Sequence, residues 1–275
     1  MEYYKKDYLK RGWQFAQKHL FKNTRFLLGY ALNYFNPKYI PDIKYYEMYD
    51  LVDLLEQRKS LIRLGDGEIY IMNFGSIHYQ NYDSELRDHF VQMVKKNDTQ
   101  SKYVLGLSRI SLEQSNRQLK KDNLFNCWFP SKIYWFLYFN KTMKYFDAHS
   151  FYRNNTIPTY LETYFKTKHL IWVTHQGNIV KLQQNKNIPF TNVSYIETPA
   201  TNAFSEFIAI KDKIREEVAK YGKDNCLVLA ACGPATKAIA FTLSKEDIVT
   251  VDIGRGIEVA YTDERIDQMI YPVKN

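Results

Sequence analysis

The stretch SLIRLGDGEIY, residues 60–70, combines a strand pattern with a polar turn. Its apolar run at 60–64 predicts a buried β-strand, and Gly65 ends that run. Asp66 and Glu68 follow, separated by a single glycine. Carboxylates at alternate positions of a glycine-rich turn can direct their oxygens at one hard cation, such as Mg²⁺ or Mn²⁺, that also binds a diphosphate. The stretch therefore predicts a strand with a polar site at its carboxyl end.

Arg63 lies three residues before the first of these acids. A guanidinium group at this place could bind a phosphate or a carboxylate through two hydrogen bonds. The alternative interpretation is an exposed acidic turn, with Arg63 neutralised in a surface ion pair. The motif alone leaves both interpretations open.

The composition is that of an ordinary globular chain with a basic N-terminal part. The 275 residues suffice for one large α/β domain or two small ones, with 45% hydrophobic and 25% charged residues. Residues 1–44 hold six of the eight excess positive charges. The rest of the chain is nearly neutral, which argues against a protein-wide nucleic-acid surface, and we expect no nucleic-acid partner.

The cysteine content and the N-terminus indicate a reducing compartment. The three cysteines, Cys127, Cys226 and Cys232, lack the spacing of a metal site, and a low, odd number is typical of intracellular proteins. No signal-peptide pattern is present, and the apolar stretch at 26–35 is too short to span a bilayer. We therefore expect a cytoplasmic location.

The first 35 residues have an amphipathic helical pattern, with basic side chains opposite an apolar stripe. Such a helix either packs on the body of the protein or lies on an anionic membrane surface, here the inner face of the cell membrane. Pro37 and Pro41 end the pattern. We predict a basic amphipathic helical extension over residues 1–43 and a separate domain over 44–275.

Strands and helices alternate through that domain. Further buried strands are predicted at 102–107, 170–174, 193–197, 226–231 and 248–254, and a buried helix is predicted at 128–139. This order predicts an α/β fold with a Rossmann-like, mostly parallel sheet flanked by helices. Ligands of such sheets bind at the carboxyl ends of the strands.

Small and polar residues follow several predicted strands, among them Gly177, Asn202, Gly233 and Thr236. A glycine at a strand-to-helix turn lets a phosphate approach the backbone, and the helix N-terminus supplies free N–H groups. The alternative is a tight connection in which Gly233 only permits the turn. Lys237, in the same predicted helix, has the pattern of a surface residue.

Asp252 follows the last predicted strand, and Glu258 comes six residues later. Either carboxylate could orient or deprotonate an acceptor hydroxyl. The alternative is a capping aspartate and a solvated glutamate.

Taken in order, four segments resemble the GT-D family of bacterial glycosyltransferases, over about residues 55–265. They are RLGDGE at 63–68, NAF at 202–204, GPATKAIAFTL at 233–243, and DIG with Glu258. The resemblance implies a Rossmann-like domain that uses a nucleotide sugar and acts on cell-surface glycoprotein glycans and polysaccharides. It identifies Asp66 and Glu68 as the DxE motif of the family, which would hold Mn²⁺ against the nucleotide diphosphate.

Together these features predict a metal-dependent glycosyltransferase, with hexosyl transfer as the first expectation. The expected donor is a nucleotide sugar, with a UDP-sugar as the first candidate. The expected acceptor is a glycan, a glycoprotein or a lipid-linked saccharide. The predicted roles are nucleotide-sugar binding by Arg63, Gly65, Asp66, Glu68, Gly177, Asn202, Gly233 and Thr236, binding of Mn²⁺ or Mg²⁺ by Asp66 and Glu68, and catalysis by Asp252 and Glu258.

Two other functions stay open. One is a catalytically degenerate member that binds a nucleotide or glycan and scaffolds a glycan-synthesis complex at the membrane. Arg255 favours it, because this residue follows DIG where the family usually has His. The other is a Rossmann methyltransferase, since CLVLAACG at 226–233 resembles a cofactor-binding strand and turn. That function leaves the GDGE segment unexplained.

Overall fold

The computed structural model describes residues 31, 34–36, 38–151 and 157–254, and within these ranges eight β-strands form one sheet. The strands are β1 (Lys44–Tyr45), β2 (Ser60–Leu64), β3 (Tyr103–Leu107), β4 (Lys144–Asp147), β5 (His169–His175), β6 (Val193–Thr198), β7 (Cys226–Ala230) and β8 (Thr250–Asp252).

Helices connect the strands and cover both faces of the sheet. They are α1 (Asp50–Glu56), α2 (Asp66–Met72), α3 (Ser84–Lys95), α4 (Arg109–Glu113), α5 (Asn116–Lys121), α6 (Phe125–Tyr138), α7 (Thr159–Lys166), α8 (Gln176–Gln184), α9 (Phe207–Tyr221) and α10 (Pro234–Ser244). A short 3₁₀ helix, Ala203–Glu206, precedes α9.

The strand order places the middle of the sheet where two halves of the chain meet. The order is β1-β4-β3-β2-β8-β7-β5-β6, and every pairing between these strands is parallel. From β2 the chain continues to β3 on one side, whereas β8 is reached from β7 on the other side. Ligands of open parallel sheets bind outside the carboxyl ends of the strands at such a reversal. The ends of β2 and β8 are therefore the expected place for a site.

Alternate residues of the central strands enter two hydrophobic cores, one on each face of the sheet. In β7, Val228 and Ala230 join the core that also holds α3, α9 and α10. Leu227 and Leu229 join the core formed with α1, α7 and α8. Strands buried on both faces are apolar along their whole length, which explains the unbroken apolar runs in the sequence.

The predicted fold class is confirmed, because the structure is a parallel α/β sheet flanked by helices. The predicted helix at 128–139 corresponds to α6, which begins three residues earlier at Phe125 and contains Pro130. Strand β4 and helix α7 were not predicted. They lie in an aromatic-rich region without a clear period.

The predicted extension at residues 1–43 lies almost entirely outside the described residues, so its helix and its boundary stay predictions. Strand β1 begins at Lys44. In the part of the chain that the structure describes, no helix is both long enough and apolar enough to cross a membrane.

Candidate functional site

The acidic turn after β2 is the first turn of a helix. Helix α2 begins at Asp66, and Gly65 is its N-cap in an extended conformation. Glu68 Oε2 accepts a hydrogen bond from the Gly65 backbone N–H at 2.8 Å, which satisfies one of the free donors of a helix N-terminus. Side chains two positions apart on a helix do not face each other. The two acids therefore lie in a helical turn rather than in a loop, and they have different neighbours. Their joint binding of a cation stays a prediction.

Asp66 faces helix α6. Its Oδ2 accepts a hydrogen bond from the Cys127 thiol, with 3.2 Å between sulfur and oxygen. Burial, together with the charge of Asp66, raises the pKa of Cys127, so the thiol stays protonated and remains a donor. The half-buried Asp66 also lines a groove between α2 and α6, whose other lining residues are Ile69, Tyr70, Asn73, Asn126, Cys127 and Pro130.

Glu68 faces the opposite way, toward α10, and belongs to a buried ion network that consists of Arg63, Glu68, Lys237 and Asp252. Lys237 Nζ lies 3.2 Å from Glu68 Oε1 and 3.2 Å from Asp252 Oδ2. Arg63 Nη2 lies 3.2 Å from Asp252 Oδ1. None of the four residues is more than 6% exposed. The network contains two cations and two anions, so its formal charges balance.

Arg63 binds a carboxylate in this structure. Its Nε donates to the Asp252 carbonyl at 2.7 Å, and its Nη1 donates to the Ala148 carbonyl at 2.8 Å. Of the two roles left open by the sequence, the ion pair with Asp252 is the observed one, although it is buried and not at the surface. A direct contact between Arg63 and a diphosphate would require this arrangement to open.

Asp252 is completely buried, and both of its carboxylate oxygens have partners. Oδ2 accepts from the Arg63 backbone N–H at 3.1 Å, and Oδ1 accepts from the Gly254 N–H at 3.2 Å. Burial alone would raise the pKa of Asp252, but the charges of Lys237 and Arg63 outweigh it and lower the pKa. Asp252 therefore stays ionised and holds two cations in place. A contact with an acceptor hydroxyl would require it to be uncovered.

Lys237 is the member of the network that sequence reasoning missed, and its prediction as a surface residue is wrong. Its ammonium also donates to the Gly233 carbonyl at 3.2 Å. Burial alone would lower the pKa of Lys237, but Asp252 and Glu68 outweigh it and raise the pKa. A usable signal was present in the sequence, because Lys237 lies one turn inside a helix whose neighbouring positions are almost all apolar.

The turn before α10 has a backbone that favours glycine. Gly233 has φ 63° and ψ −141°. A Cβ atom at this position would lie 3.1 Å from Cε2 of Tyr79, so the Tyr79 ring packs directly on the turn. Thr236, predicted to bind the donor, is fully buried, and its hydroxyl accepts from the Cys232 N–H at 2.9 Å. The Thr236 side chain therefore closes the turn, and its role in donor binding stays a prediction.

Asn202 fixes the loop that carries Tyr79. Its Oδ1 accepts from the Asn81 N–H at 2.7 Å, and its backbone N–H donates to the Tyr79 carbonyl at 2.8 Å. Gly177, by contrast, lies in the first turn of α8 after β5, and both β8 and β7 separate that strand from β2 in the sheet. Gly65, Glu68, Asp252 and the Gly233 turn thus come together, Asn202 supports them through the loop, and Gly177 lies apart.

Glu258 and Arg255 lie outside the described residues, so the acceptor-side role of Glu258 stays a prediction. The part of the chain with described positions contains no group of three His, Cys, Asp or Glu side chains arranged to hold a metal. A hard cation of the Mg²⁺ type often takes only one or two protein carboxylates, with phosphate oxygens and water as its other ligands. Asp66, half-buried on a groove beside a charge-balanced network, fits such a cation, whereas Glu68 is already shared with Lys237.

Sequence comparison identifies the family. The family described as glycosyltransferase GT-D fold matches residues 61–263. The chain is also 27% identical over 216 residues to a probable glycosyl transferase Gly from Streptococcus gordonii. That match covers 73% of this chain and 30% of the relative, so the chain spans less than a third of the length of that protein.

Solved structures share the fold. A glycosyltransferase from Streptococcus sanguinis superposes with a TM-score of 0.62 at 22% identity, covering 78% of this chain and 82% of that chain. A structure of domain of unknown function 1792, described as a distinct glycosyltransferase fold, gives a TM-score of 0.61 at 20% identity, covering 84% of this chain and 82% of that chain. With the family match over most of the sequence, these findings show that the chain belongs to the GT-D glycosyltransferase family.

Proposed function

We propose that this chain transfers a sugar from a nucleotide-sugar donor. A hexose is the first candidate for the sugar, and a UDP-sugar is the first candidate for the donor. The acceptor is a hydroxyl of a cell-surface glycan, a glycoprotein or a lipid-linked saccharide. The observation that carries the proposal is the family match over residues 61–263, combined with the charged residues at the ends of β2 and β8.

Donor binding is assigned to the Gly233 turn. Helix α10 begins there with Pro234, and the positive end of the helix dipole favours a phosphate. Gly233 has no side chain to block the approach of a phosphate to the backbone. The neighbouring Tyr79 ring is 45% exposed, and it offers a flat surface on which a base or a sugar could stack.

The proposed cation, Mn²⁺ or Mg²⁺, would lie at the first turn of α2, with Asp66 as a ligand and Glu68 as the second ligand implied by the family. When bound, it supplies a Lewis acid that neutralises the leaving diphosphate. Asp252 and Arg63 contribute indirectly, because they fix the end of β2 against β8. Glu258 is assigned the acceptor hydroxyl as general base.

A donor screen on wild type and on Asp66→Ala tests the proposal. UDP-, GDP-, TDP- and CMP-sugars are added with and without Mn²⁺, and the melting temperature and the release of nucleoside diphosphate are measured. We expect a Mn²⁺-dependent shift for one nucleotide, lost in Asp66→Ala, because removing this carboxylate removes a ligand. Glu85→Gln is the matched control, since Glu85 is an exposed acid in the first turn of α3. Full transfer by Asp66→Ala would contradict the metal role.

The scaffolding function remains the second candidate. It would be favoured by nucleotide-sugar binding without turnover across donors and acceptors. If wild type lacks transfer activity and an Arg255→His variant gains it, the loss of activity is caused by Arg255. Activity in wild type would reject scaffolding as the main function.

A peripheral location at the inner face of the cell membrane is also proposed. Phe35 is 79% exposed, and Lys120 Nζ lies 5.1 Å from the ring centroid of Tyr34 and 4.8 Å from that of Phe125. Aromatic and basic side chains together suit an anionic membrane surface. Deleting residues 1–40 is expected to abolish sedimentation with phosphatidylserine liposomes. Equal sedimentation of the deleted and full chains would reject membrane contact through this segment.

A further inference from the structure

The Tyr79 side chain lies between the two turns that border the buried ion network. Its ring carbon Cε2 would lie 3.1 Å from a Cβ atom at Gly233, and its hydroxyl oxygen would lie 3.9 Å from a Cβ atom at Gly67. The ring therefore spans the gap between the turn before α10 and the first turn of α2. Neither glycine has a side chain to close this gap, so the ring closes it.

Lys237 of the network lies close to this ring. Its ammonium donates to the Gly233 carbonyl at 3.2 Å, and its side chain is only 8% exposed. Burial alone would lower the pKa of Lys237, but Asp252 and Glu68 raise it. The Tyr79 phenol adds to this rise in pKa, so it lies near enough to act on the ammonium. Tyr79 itself is 45% exposed, and its ring therefore forms the boundary between the network and solvent.

The backbone that carries Tyr79 is held in place. Ile77 and Gln80 exchange backbone hydrogen bonds of 2.9 and 3.3 Å, which close a tight turn that contains Tyr79. Asn202 donates its N–H to the Tyr79 carbonyl at 2.8 Å. Because the main chain is fixed in this way, the ring leaves its place by rotating about its side-chain bonds. Exposed side chains make such rotations on the picosecond to nanosecond timescale.

The ring and a bound diphosphate compete for the same space. Cδ2 of Tyr79 would also approach a Cβ atom at Gly233 closely, at 3.3 Å. Carbon atoms that are not bonded prefer separations of about 3.5–4.0 Å, so this side of the Gly233 Cα does not accommodate even a methyl group without strain. A phosphate is larger than a methyl group. Its approach from this side therefore requires the ring to move aside.

We propose that Tyr79 is a gate over the donor site, which is closed in this structure and is opened by the diphosphate of the nucleotide-sugar donor. In the open state, the ring leaves Gly233, the diphosphate reaches the turn before α10, and Lys237 becomes accessible to it. The released ring then stacks on the base or the sugar of the donor. The inference rests on the proposed function, because it assumes that the donor binds at the Gly233 turn.

The charge of the ligand decides whether the gate opens. A ligand shifts a conformational equilibrium only as far as it binds one state better than the other. A diphosphate favours the open state, because the space that it needs exists only there and its negative charge meets the Lys237 ammonium. A free sugar carries no such charge, so we do not expect it to open the gate.

Binding of inorganic pyrophosphate tests the gate, because this ligand has no base or sugar on which the ring can stack. Calorimetric titrations in the presence of Mg²⁺ compare wild type, Tyr79→Ala and Tyr79→Phe. We expect Tyr79→Ala to bind pyrophosphate at least about fivefold more tightly, because a site that is open only part of the time has a proportionally lower affinity. Tyr79→Phe keeps the ring and should bind like wild type. Equal or weaker binding by Tyr79→Ala would overturn the inference.

UDP is the second probe, because it adds a base and a ribose to the diphosphate. We expect Tyr79→Ala to gain less affinity for UDP than for pyrophosphate, since the stacking of the released ring is lost. An equal gain for both ligands would overturn the stacking step. Tyr160→Ala is the matched control and should change neither affinity, because Tyr160 is an equally exposed tyrosine, 42% against 45%, on α7.

A double-mutant cycle tests the covering role of the ring without any ligand. The free energies of unfolding of Tyr79→Ala, Lys237→Met and the double variant are measured by urea denaturation. We expect Lys237→Met to cost clearly less stability in the Tyr79→Ala background than in wild type, because water then reaches the carboxylates that lose their partner. The same cost in both backgrounds would overturn the inference. If Lys237→Met does not fold, Lys237→Gln takes its place, and Tyr160→Ala replaces Tyr79→Ala in the control cycle.

The titrations also separate the inference from the proposed function. If neither wild type nor Tyr79→Ala binds pyrophosphate or UDP, the donor site at the Gly233 turn fails, and the gate fails with it. If both proteins bind pyrophosphate with the same affinity, the donor site stands and only the gate is overturned.

Discussion

Two ion networks among the described residues have opposite surroundings, and the more exposed network has the shorter distances. In the buried network, Lys237 and Arg63 approach their carboxylates to 3.2 Å with almost no exposure. In the other network, Arg215 of α9 approaches Glu246, just after α10, to 2.7 Å and Asp212 of its own helix to 2.6 Å, but its side chain is 39% exposed. Distance alone therefore says little about how much an ion pair contributes to stability. Burial decides it, because water cannot replace a lost partner in the interior.

The largest effect is expected from breaking the buried network at its centre. Asp252→Asn leaves Arg63 and Lys237 buried with only Glu68 as a charged partner in the network. We expect the free energy of unfolding to fall by about 3–5 kcal/mol, as measured by urea denaturation. A decrease of less than about 1 kcal/mol would show that water or a movement of the side chains compensates the charges of Arg63 and Lys237.

The turn that seats the Lys237 ammonium should give the next largest effect. In Gly233→Ala, a side chain must adopt φ 63° and also contact the Tyr79 ring at 3.1 Å. We expect a loss of about 1–3 kcal/mol in the free energy of unfolding, and loss of the nucleotide-induced thermal shift. Tyr79→Ala combined with Gly233→Ala separates the steric contact from backbone strain. An unchanged thermal shift in Gly233→Ala would remove the turn from the donor site.

The pH dependence of stability also distinguishes the buried network, because folding shifts the pKa of Asp252. The pKa of Asp252 is lowered in the folded state, so its stabilisation is present above its ordinary value of 3.8 and is lost as the pH falls through the folded value. The stability difference between wild type and Asp252→Asn should therefore be constant from pH 7 to 5 and shrink below about pH 4. Chemical denaturation of both proteins between pH 7 and 3 measures this. A difference that grows on acidification would contradict the assignment.

The smallest effect is expected at the surface network. Glu246→Gln should cost less than about 1 kcal/mol, because solvent and salt can replace the partner of Arg215. The effect should decrease further in 1 M NaCl, whereas that of Asp252→Asn should not. Denaturation of both variants at low and high salt makes the comparison. Equal salt dependence would mean that burial does not distinguish the two networks.

Sequence patterns predicted the fold well because its central strands are buried on both faces. Their unbroken apolar runs are short and bounded by turn residues, which favours strands over buried helices. The region of β4 and α7 escaped prediction, since aromatic residues there follow neither a helical nor a strand period. In this region packing against α6 and the sheet, rather than a local pattern, determines the elements.

The positions of several candidate residues in the fold were predicted, whereas their contacts were predicted only in part. Asp66, Glu68 and Gly233 were placed at strand ends, where the structure has them. The different neighbours of the two acids follow from the helix that begins at Asp66, which the sequence pattern did not predict. The burial of Asp252 by Arg63 depends on a contact between residues 189 positions apart, which no local pattern contains.

The pairing of β2 with β8 also has a consequence for the order of folding. Leu61 lies opposite Val251 in the sheet, so β2 has one of its two neighbours only after nearly two hundred further residues have been synthesised. Sheets built from such distant pairings fold slowly, because a long loop must close before the contact forms. The Arg63–Asp252 contact is therefore expected among the last to form during synthesis. Pulse-labelling hydrogen exchange would show this as later protection of β2 amides than of those in β5.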